Sequence, residues 1–211
     1  MEFEDELNAV LPAGLPRREF VIEKAAAHLL LIVEANRHLN LTRITSPREA
    51  AIKHVLDSLI PWTLFAHSRQ VLDAGTGPGF PGIPLALVLP DTRFVLAESI
   101  RKKARFVDSA LAQLELPNVT VSPERAEELL RPGQFDAIAA RALAPIPRAL
   151  VLFAQALKNG TKVFLYKGPD AEREIAESAR EAGKIRARMQ IAMRYELPDG
   201  LGARTIVQIA V

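Results

Sequence analysis

Hydrophobic positions in the first 65 residues recur at helical spacing. Residues 17–39 contain neither proline nor glycine, and their apolar side chains follow a helical period, which predicts one long helix. A second helix is predicted over residues 46–60. Ser46 can cap this helix, Pro47 suits its first helical position, and Glu49 can return the capping-box hydrogen bond. This part of the chain is therefore expected to be helical.

From residue 66 onward the pattern changes to short apolar runs that alternate with longer helical stretches. Strands are predicted at residues 70–74, 93–98, 119–122, 135–140, 163–166, 185–196 and 204–211. Helices are predicted at residues 83–89, 100–114, 125–130, 146–157 and 171–182. Repeated strand–helix units of this length indicate a mostly parallel sheet with helices on both faces. A turn at Pro198-Asp199-Gly200 adds an antiparallel edge.

The chain is thus predicted to have two parts. Residues 1–65 form a helical N-terminal extension packed on the following domain, and residues 66–211 form an α/β domain. The chain has 211 residues, 49% of them hydrophobic, which allows a substantial buried core.

The composition excludes several kinds of chemistry. Cysteine is absent, which rules out disulfides, thiolate nucleophiles and cysteine-based zinc sites and is consistent with a reducing cytoplasm. The acidic start lacks the layout of a signal peptide, and the longest apolar run, residues 29–33, is too short to cross a bilayer. The net charge of +2 permits a nucleic-acid partner but does not argue for one. We expect a cytoplasmic protein with no metal and no membrane partner.

The strongest local signal is the stretch VLDAGTGPGFPG at residues 71–82. It begins within the first predicted strand, and its glycines follow the strand at once and precede a helix, which is where an α/β sheet binds its ligand. GPGFPG formally matches the dinucleotide pattern G-x-G-x-x-G. However, Asp73 lies two residues before the first glycine, where it would repel a pyrophosphate and attract an ammonium group. The form D-x-G-x-G-x-G therefore favours S-adenosyl-L-methionine over a nicotinamide dinucleotide.

Further blocks along the chain resemble the RsmG (GidB) family, bacterial methyltransferases of guanine N7 in 16S ribosomal RNA. The resemblance rests on ordered blocks that span most of the chain, namely Asn40-Leu-Thr, His54-Val-Leu-Asp57-Ser58, residues 73–86, Glu98-Ser99, Lys102-Lys103-Ala-Arg105-Phe106, Arg125-Ala126-Glu127-Glu128, Phe135-Asp136, Arg141-Ala142 and Lys167-Gly168. Three positions depart from the family pattern: Phe80 replaces leucine, Glu98 replaces aspartate, and Ala140 replaces the serine before Arg141. Little family signal follows Gly168.

The resemblance implies a Rossmann-like class I methyltransferase fold with a mostly parallel seven-stranded sheet. It also implies S-adenosyl-L-methionine as the cofactor and guanine 527 (rRNA numbering) in the 530 loop of the small ribosomal subunit as the target. Glu98 would take the ribose hydroxyls, Ala126 and Glu127 would meet the adenine, and Arg141 would belong to the cofactor set and face the target base. The remaining implied cofactor-binding residues are Asp73, Gly75, Gly77, Gly79 and Phe80.

Candidate groups on the substrate side are polar or basic. We predict catalytic roles for Arg141 and Lys167, and substrate contacts for His54, Asp57, Lys102 and Lys103. Lys167 ends the fifth strand, where it could bond guanine O6 or a phosphate, although a solvated lysine fits this position equally well. The pair Lys102-Lys103 belongs to the densest basic cluster, which also contains Arg101 and Arg105. We expect a monomer that binds a folded ribosomal surface.

Two other hypotheses stay open. An NAD-dependent oxidoreductase could use GPGFPG, and it would need a proton-relay residue for which Tyr166 and Tyr195 are the only tyrosines. A non-catalytic RNA-binding regulator is the second alternative. Binding of S-adenosylmethionine rather than NAD would favour a methyltransferase over the oxidoreductase. Turnover would favour a methyltransferase over the non-catalytic regulator.

Overall fold

Seven strands form one sheet in the computed structural model, which describes residues 2–211. The spatial order is β3-β2-β1-β4-β5-β7-β6. The strands are β1 (Gln70–Ala74), β2 (Arg93–Ala97), β3 (Val119–Ser122), β4 (Ala137–Arg141), β5 (Lys162–Lys167), β6 (Arg188–Glu196) and β7 (Ala203–Ala210). The predicted seven-stranded α/β sheet is therefore confirmed.

Strands β1 to β5 pair in parallel, whereas β7 lies antiparallel to both β5 and β6. The strand order reverses beside β1, because β1 pairs with β2 on one side and with β4 on the other. Ligands of open α/β sheets bind at such a switch point, beyond the carboxyl ends of the strands. The glycine stretch follows β1 directly and therefore lies at this crevice.

Ten α-helices surround the sheet in the described residues. They are α1 (Glu2–Val10), α2 (Arg18–Leu39), α3 (Pro47–Ala50), α4 (Asp57–Leu59), α5 (Gly82–Val88), α6 (Arg101–Leu114), α7 (Ile146–Leu152), α8 (Ala154–Lys158), α9 (Ala171–Glu177) and α10 (Ala179–Ile185). A π-helical stretch, Ala51–Leu56, joins α3 to α4, and 3-10 turns cover Trp62–Phe65, Ala126–Leu129 and Pro198–Gly200. None of the helices in residues 2–211 is long and apolar enough to cross a membrane.

The pleat of the strands divides the core into two layers. Val71 of β1 and Phe164 of β5 face the layer built from α1, α2, α5 and α6, whereas Leu72 and Val163 face the layer built mainly from α7 and α8. Successive strand residues point to opposite faces, so both layers are apolar and the strands read as continuous hydrophobic runs. The N-terminal helices thus bury their apolar sides in the first layer. The division at residue 65 stays a prediction.

Several local predictions were wrong, for identifiable reasons. Ser46 makes no side-chain capping bond, and Glu49 binds Lys53 at 2.6 Å instead of returning to the helix start. The helix predicted over 146–157 is interrupted at Phe153, whose φ of −103° leaves the helical region. The helix predicted over 171–182 is likewise interrupted, at Ser178, and then extends to Ile185, so the following strand begins later than predicted. The helix predicted over 125–130 is a short 3-10 turn, and α1 lies in the N-terminal part that was predicted to be helical, although its bounds were not predicted.

Gly82, at the start of α5, offers a test of this packing. A Cβ atom at Gly82 would lie 2.6 Å from Asp73 Oδ2 and would also collide with the Leu96 side chain. We expect Gly82→Ala to lower the free energy of unfolding by about 1–3 kcal/mol, the usual cost of overpacking. Urea denaturation measures this change.

The matched control is Gly183→Ala within α10. A Cβ at Gly183 meets no atom within 4 Å, so this change should be neutral or stabilising by up to about 1 kcal/mol, because alanine is the better helix former. Equal effects of the two substitutions would contradict the packing described for Gly82.

Candidate functional site

Asp73 fixes the shape of the glycine stretch from behind. Its side chain is buried, and Oδ2 accepts hydrogen bonds from Thr76 Oγ1 at 2.6 Å and from the Gly82 amide at 2.8 Å. One carboxylate thus joins the end of β1, the middle of the loop and the start of α5. The loop geometry depends directly on this side chain.

Because Asp73 is buried, the ionisation of its carboxyl depends on nearby charges. Desolvation raises the pKa of this carboxyl to about 6, although the bonds from Thr76 and Gly82 act against the increase. Its Oδ1 atom has no hydrogen-bond partner within residues 2–211. A cationic group held near the loop would stabilise the ionised form, as the sequence led us to expect for a sulfonium ligand with an ammonium group.

The glycines let the backbone turn closely under the crevice. Gly75 and Gly77 have φ angles of +72° and +60°, which residues other than glycine rarely adopt. A Cβ at Gly75 would lie 2.7 Å from Leu143 Cδ1, whereas the position of a Cβ at Gly77 is open. The amides of Gly75 and Thr76 both donate to the Ala97 carbonyl at 3.0 Å, which ties the loop to the end of β2.

The first cavity has a volume of about 370 Å³ and lies beyond the carboxyl ends of β1, β2 and β3. Its lining includes Gly75, Ala97, Glu98, Ser99, Glu124, Arg125, Ala126, Glu127, Leu143, Ala144, Arg148 and Leu152. Glu98 is oriented by the Ile100 amide, which donates to Oε1 at 2.8 Å. The cavity therefore has a fixed carboxylate at the end of β2 and an apolar floor formed by Ala97 and Ala126.

The second cavity, of about 440 Å³, lies on the other side of residues 142–144. Its lining is Ile44, Lys53, His54, Asp57, Arg141, Ala142, Tyr166, Lys167, Gly168 and Arg204. Four of these side chains are cationic and only Asp57 is anionic, so the cavity favours an electron-rich or anionic ligand. Ala142 lines this cavity, whereas Leu143 and Ala144 line the first one.

Asp57 organises the cationic side chains of the second cavity. Its carboxylate lies 3.2 Å from Arg141 Nη1 and 3.4 Å from Arg204 Nε, and it accepts a hydrogen bond from the Tyr195 hydroxyl at 2.9 Å. Arg141 Nη1 also donates to the Lys53 carbonyl at 2.9 Å. A buried carboxylate with this many partners holds each donor in one position.

An aromatic stack connects the glycine loop to the second cavity. Phe80 stacks on His54 with ring centroids 4.7 Å apart, contacts His28 at 5.0 Å, and lies 5.4 Å from the guanidinium of Arg141. Burial, with a further contribution from Arg141, lowers the pKa of His54 to about 3. Burial lowers the pKa of His28 to about 4. Both imidazoles are therefore neutral near pH 7.

The structure sorts the predicted residues into three groups. Gly75, Glu98, Ala126 and Glu127 line the first cavity. His54, Asp57, Arg141 and Lys167 line the second, and Arg141 therefore lies in the predicted substrate region and not in the cavity of the other predicted cofactor residues. The predicted residues that line neither cavity are Asp73, Gly77, Gly79, Phe80, Lys102 and Lys103.

The positions of the third group explain why its residues line neither cavity. Asp73 and Phe80 are buried behind the loop, and a Cβ at Gly79 would lie 3.0 Å from His28 Cε1, so these residues support the loop from inside. Lys102 and Lys103 lie on the first turn of α6, where Lys102 is exposed to solvent. Asp73 is buried and bonds to the loop through Thr76 and Gly82, so its predicted cofactor contact stays a prediction.

Sequence reasoning missed four side chains that shape the two cavities. Leu143 covers Gly75, and Glu174 binds Lys167 at 2.6 Å. Tyr195 and Arg204 face each other in the β6–β7 register and both reach Asp57. The antiparallel hairpin around Pro198–Gly200 was the available signal, because it places residues 195 and 204 opposite each other.

Comparison with known proteins agrees with this geometry. The family described as GidB, rRNA small subunit methyltransferase G, matches residues 21–194. The ribosomal RNA small subunit methyltransferase G of Solibacter usitatus (strain Ellin6076) is 61% identical over 209 residues, covering 99% of this chain and 100% of the relative. The protein of the same name from Xanthomonas axonopodis pv. citri (strain 306) is 39% identical over 174 residues, covering 81% and 82%.

Solved structures show the same architecture at low sequence identity. An O-methyltransferase from Bacillus cereus in complex with SAH has a TM-score of 0.59 and 20% identity, covering 88% of this chain and 91% of that one. The O-methyltransferase TomG from Streptomyces achromogenes, in complex with SAM, has a TM-score of 0.56 and 22% identity, covering 92% and 90%.

The sheet order and the crevice after β1 thus define the class I methyltransferase fold, which this chain shares with the two O-methyltransferases in complex with SAH and SAM. Within that class, the chain belongs to the rRNA small subunit methyltransferase G (GidB) family. The resemblance drawn from the sequence blocks is confirmed, and the cofactor expected from the D-x-G-x-G-x-G form is confirmed with it.

The residues of the first cavity fit this cofactor. Gly75 has a positive φ and an exposed backbone, and Glu98 presents a carboxylate whose second oxygen makes no hydrogen bond within residues 2–211. A lining that combines polar groups with alanines suits a nucleoside. Asp73 adds negative charge beneath the loop, which suits a cationic ligand.

Stability should depend on pH through the buried His28, whose Nε2 lies 2.8 Å from the Pro78 carbonyl oxygen. Because its folded pKa of about 4 lies below the ordinary value of 6.5, the unfolded chain takes up the proton first as the pH falls. Stability is therefore lost between these two values. From pH 7 to pH 5 the loss from His28 should be about 2 kcal/mol.

His28→Gln keeps a donor for Pro78 but cannot titrate. Urea denaturation at both pH values should show a smaller loss for this variant than for the wild type by about 2 kcal/mol. Other groups, His54 and Asp73 among them, titrate in both proteins and cancel in the comparison. The same pH dependence in the two proteins would show that His28 is not the buried neutral residue described.

Proposed function

We propose that this protein transfers a methyl group from S-adenosyl-L-methionine to N7 of guanine 527 in the 530 loop of 16S ribosomal RNA. The observation that carries the proposal is the pair of adjoining cavities. One has the polar and apolar groups that suit the cofactor, and the other has the cationic groups that suit a nucleotide. Residues 142–144 border both cavities, so the methyl donor and the base would meet at this segment.

The cofactor would be held by three groups of the first cavity. Glu98 would accept hydrogen bonds from the ribose hydroxyls, as a carboxylate at the end of a second strand does in related sheets. Ala126 would pack on the adenine, with Glu127 at its polar edge. The loop backbone at Gly75 and Gly77 would approach the methionine portion, and Asp73 would act through the loop that it holds. When bound, the cofactor supplies an activated methyl group on a sulfonium.

The second cavity would bind the target base without deprotonating it. Guanine N7 carries an exposed lone pair, so the site needs orientation and no general base. The two histidines suit this, because their lowered pKa values leave them neutral and His54 is enclosed by Phe80. Arg141 and Lys167 would donate to guanine O6 or to a phosphate while N7 is left free. Asp57 would keep Arg141 in place for this contact.

The RNA backbone would be bound outside the two cavities. Lys102 and Lys103, with Arg101 and Arg105, form a basic cluster at the start of α6 that supports this role. Contacts to phosphates would make RNA affinity fall with increasing salt. We propose a monomer that acts in the cytoplasm on a folded surface of the small ribosomal subunit.

The oxidoreductase hypothesis has no support in the site. The Tyr166 hydroxyl donates to the Ser58 carbonyl at 3.2 Å, and the Tyr195 hydroxyl donates to Asp57. Burial raises the pKa of both tyrosines, and Asp57 adds to the effect at Tyr195. Neither phenol is therefore suited to relay a proton. If the protein were a non-catalytic regulator, it would bind without turnover. A methyl-transfer assay tests this alternative.

Methyl transfer can be measured with labelled S-adenosylmethionine and small subunits that lack the modification. We expect one methyl group per subunit, mapped to guanine 527. To test whether N7 is the methyl acceptor, subunits can be reconstituted with 7-deazaguanosine at position 527. This change removes N7 and should abolish transfer. Methylation of the 7-deaza subunit at the same position would refute N7 as the acceptor, and no transfer to any subunit or naked rRNA would refute the proposal as a whole.

The role of Glu98 can be tested separately. Glu98→Ala removes a charge-assisted contact and should weaken S-adenosylmethionine binding by about 10- to 100-fold, because such bonds contribute about 1.5–3 kcal/mol. RNA affinity should change much less. Calorimetry measures the first quantity, and filter binding at fixed salt measures the second.

The exposed acid Glu177 on α9 provides the control, since it lies outside both cavities and pairs only with Arg173 at 3.8 Å in the described residues. Glu177→Gln should leave both affinities unchanged. A larger loss of RNA affinity than of cofactor affinity in Glu98→Ala would show that Glu98 is misplaced in this account.

A further inference from the structure

Residues 142–145, which we call the partition, separate the two cavities. Their own residue types do little to stabilise the conformation that they adopt. Ala142 has a φ of +55°, a conformation that costs a non-glycine residue on the order of 1 kcal/mol or more. Leu143 is 38% exposed although its side chain covers Gly75. A strained and exposed segment between two ligand cavities must be held by something else in the fold.

The helix that follows the partition also lacks a cap of its own. Pro145 precedes α7 and has no polar side chain to accept from the first amides. Pro147 has no amide hydrogen, and the Arg148 amide donates to the Pro145 carbonyl at 3.1 Å. The Ile146 amide is therefore the one donor of the first three helical positions that needs an acceptor from elsewhere.

Glu174 of α9 supplies that acceptor and also binds Lys167, which in turn bonds to the partition. Its Oε2 accepts from the Ile146 amide at 2.9 Å and from Lys167 Nζ at 2.6 Å. Lys167 in turn donates to the Ala144 carbonyl at 2.9 Å. One carboxylate oxygen thus reaches the partition at Ala144 through Lys167, and it directly holds Ile146, the residue that follows the partition.

We propose that Glu174 is a positioning residue for methyl transfer, which holds the partition and Lys167 in the geometry that brings methyl donor and target base together. This inference rests on the proposed function, because the partition matters for catalysis only if donor and base occupy the two cavities. Glu174 lines neither cavity, so it acts through Lys167, Ala144 and Ile146.

The charges in this network support a fixed clamp. Lys167 has a side-chain exposure of 12% and Glu174 of 24%, so both are shielded from solvent. Partial burial opposes ionisation of Glu174, but the bonds from Lys167 and from the Ile146 amide outweigh it and lower the pKa of this carboxyl. The carboxylate therefore stays anionic at neutral pH. The Lys167 ammonium group has three N–H donors, of which two bond to Ala144 and Glu174, and Lys167 lines the second cavity.

The test uses Glu174→Ala and Glu174→Gln in the full-length protein, with Glu177→Gln on the same helix as the control. We expect Glu174→Ala to lower kcat by about 10- to 100-fold, the effect of misplaced reacting groups, while the KM for the subunit changes by less than about threefold. Glu174→Gln keeps an acceptor for Ile146 and should recover part of kcat. The control should match the wild type.

Amide hydrogen exchange of residues 142–146 provides a readout that does not depend on activity. In Glu174→Ala the Ile146 amide should exchange at least about tenfold faster, while the amides of β1 and β4 are unchanged. Unaltered exchange at Ile146, or an unaltered kcat, would overturn the inference. Uniformly faster exchange across the sheet, with no recovery in Glu174→Gln, would also overturn it, since it would indicate a general loss of stability.

The two proposals fail in different ways. If the wild type transfers no methyl group to any subunit, the proposed function fails, and the exchange data alone then decide whether Glu174 holds the partition. If the wild type is active and Glu174→Ala matches it in both readouts, only the inference about Glu174 fails.

Discussion

The buried carboxylate of Asp57, paired with Arg141, joins three parts of the chain that are far apart in sequence. Asp57 begins α4 in the N-terminal helices, Arg141 ends β4 at the centre of the sheet, and Tyr195 and Arg204 of the C-terminal hairpin bind the same carboxylate. A buried carboxylate must be compensated on every side, so its partners fix one another's positions. The second cavity exists because these three parts meet there.

The first cavity depends on a different buried acid. Asp73 closes the glycine loop through Thr76 and Gly82, and the loop then meets Leu143 of the partition at Gly75. Phe80 connects the two systems, because it follows the loop and packs between His54 and His28, with Arg141 over its face. The position of the loop and the position of the cationic side chains are therefore coupled through one aromatic ring.

The sequence predicted what local patterns encode. Short apolar runs located all seven strands to within a few residues, and Asp73 ahead of the glycines indicated the cofactor, because both depend on neighbouring residues. The hairpin could have placed Tyr195 opposite Arg204, but their shared contact with Asp57 and the contact of Glu174 with Ile146 could not be predicted, since they arise where distant segments meet. The orientation of Asp73 was missed for the same reason: a strand-end acid can face either the ligand or the loop, and here the Gly82 amide turns it inward.

Cofactor and target base should occupy separate cavities on either side of the partition. A crystal structure of the protein with S-adenosylhomocysteine would show which cavity holds the cofactor. We expect the nucleoside in the first cavity, with its ribose on Glu98 and its adenine beside Ala126, while the Asp57–Arg141 pair stays intact and the second cavity stays free of ligand. A nucleoside bound among Arg141, Lys167 and Arg204, or away from Glu98, would contradict the account.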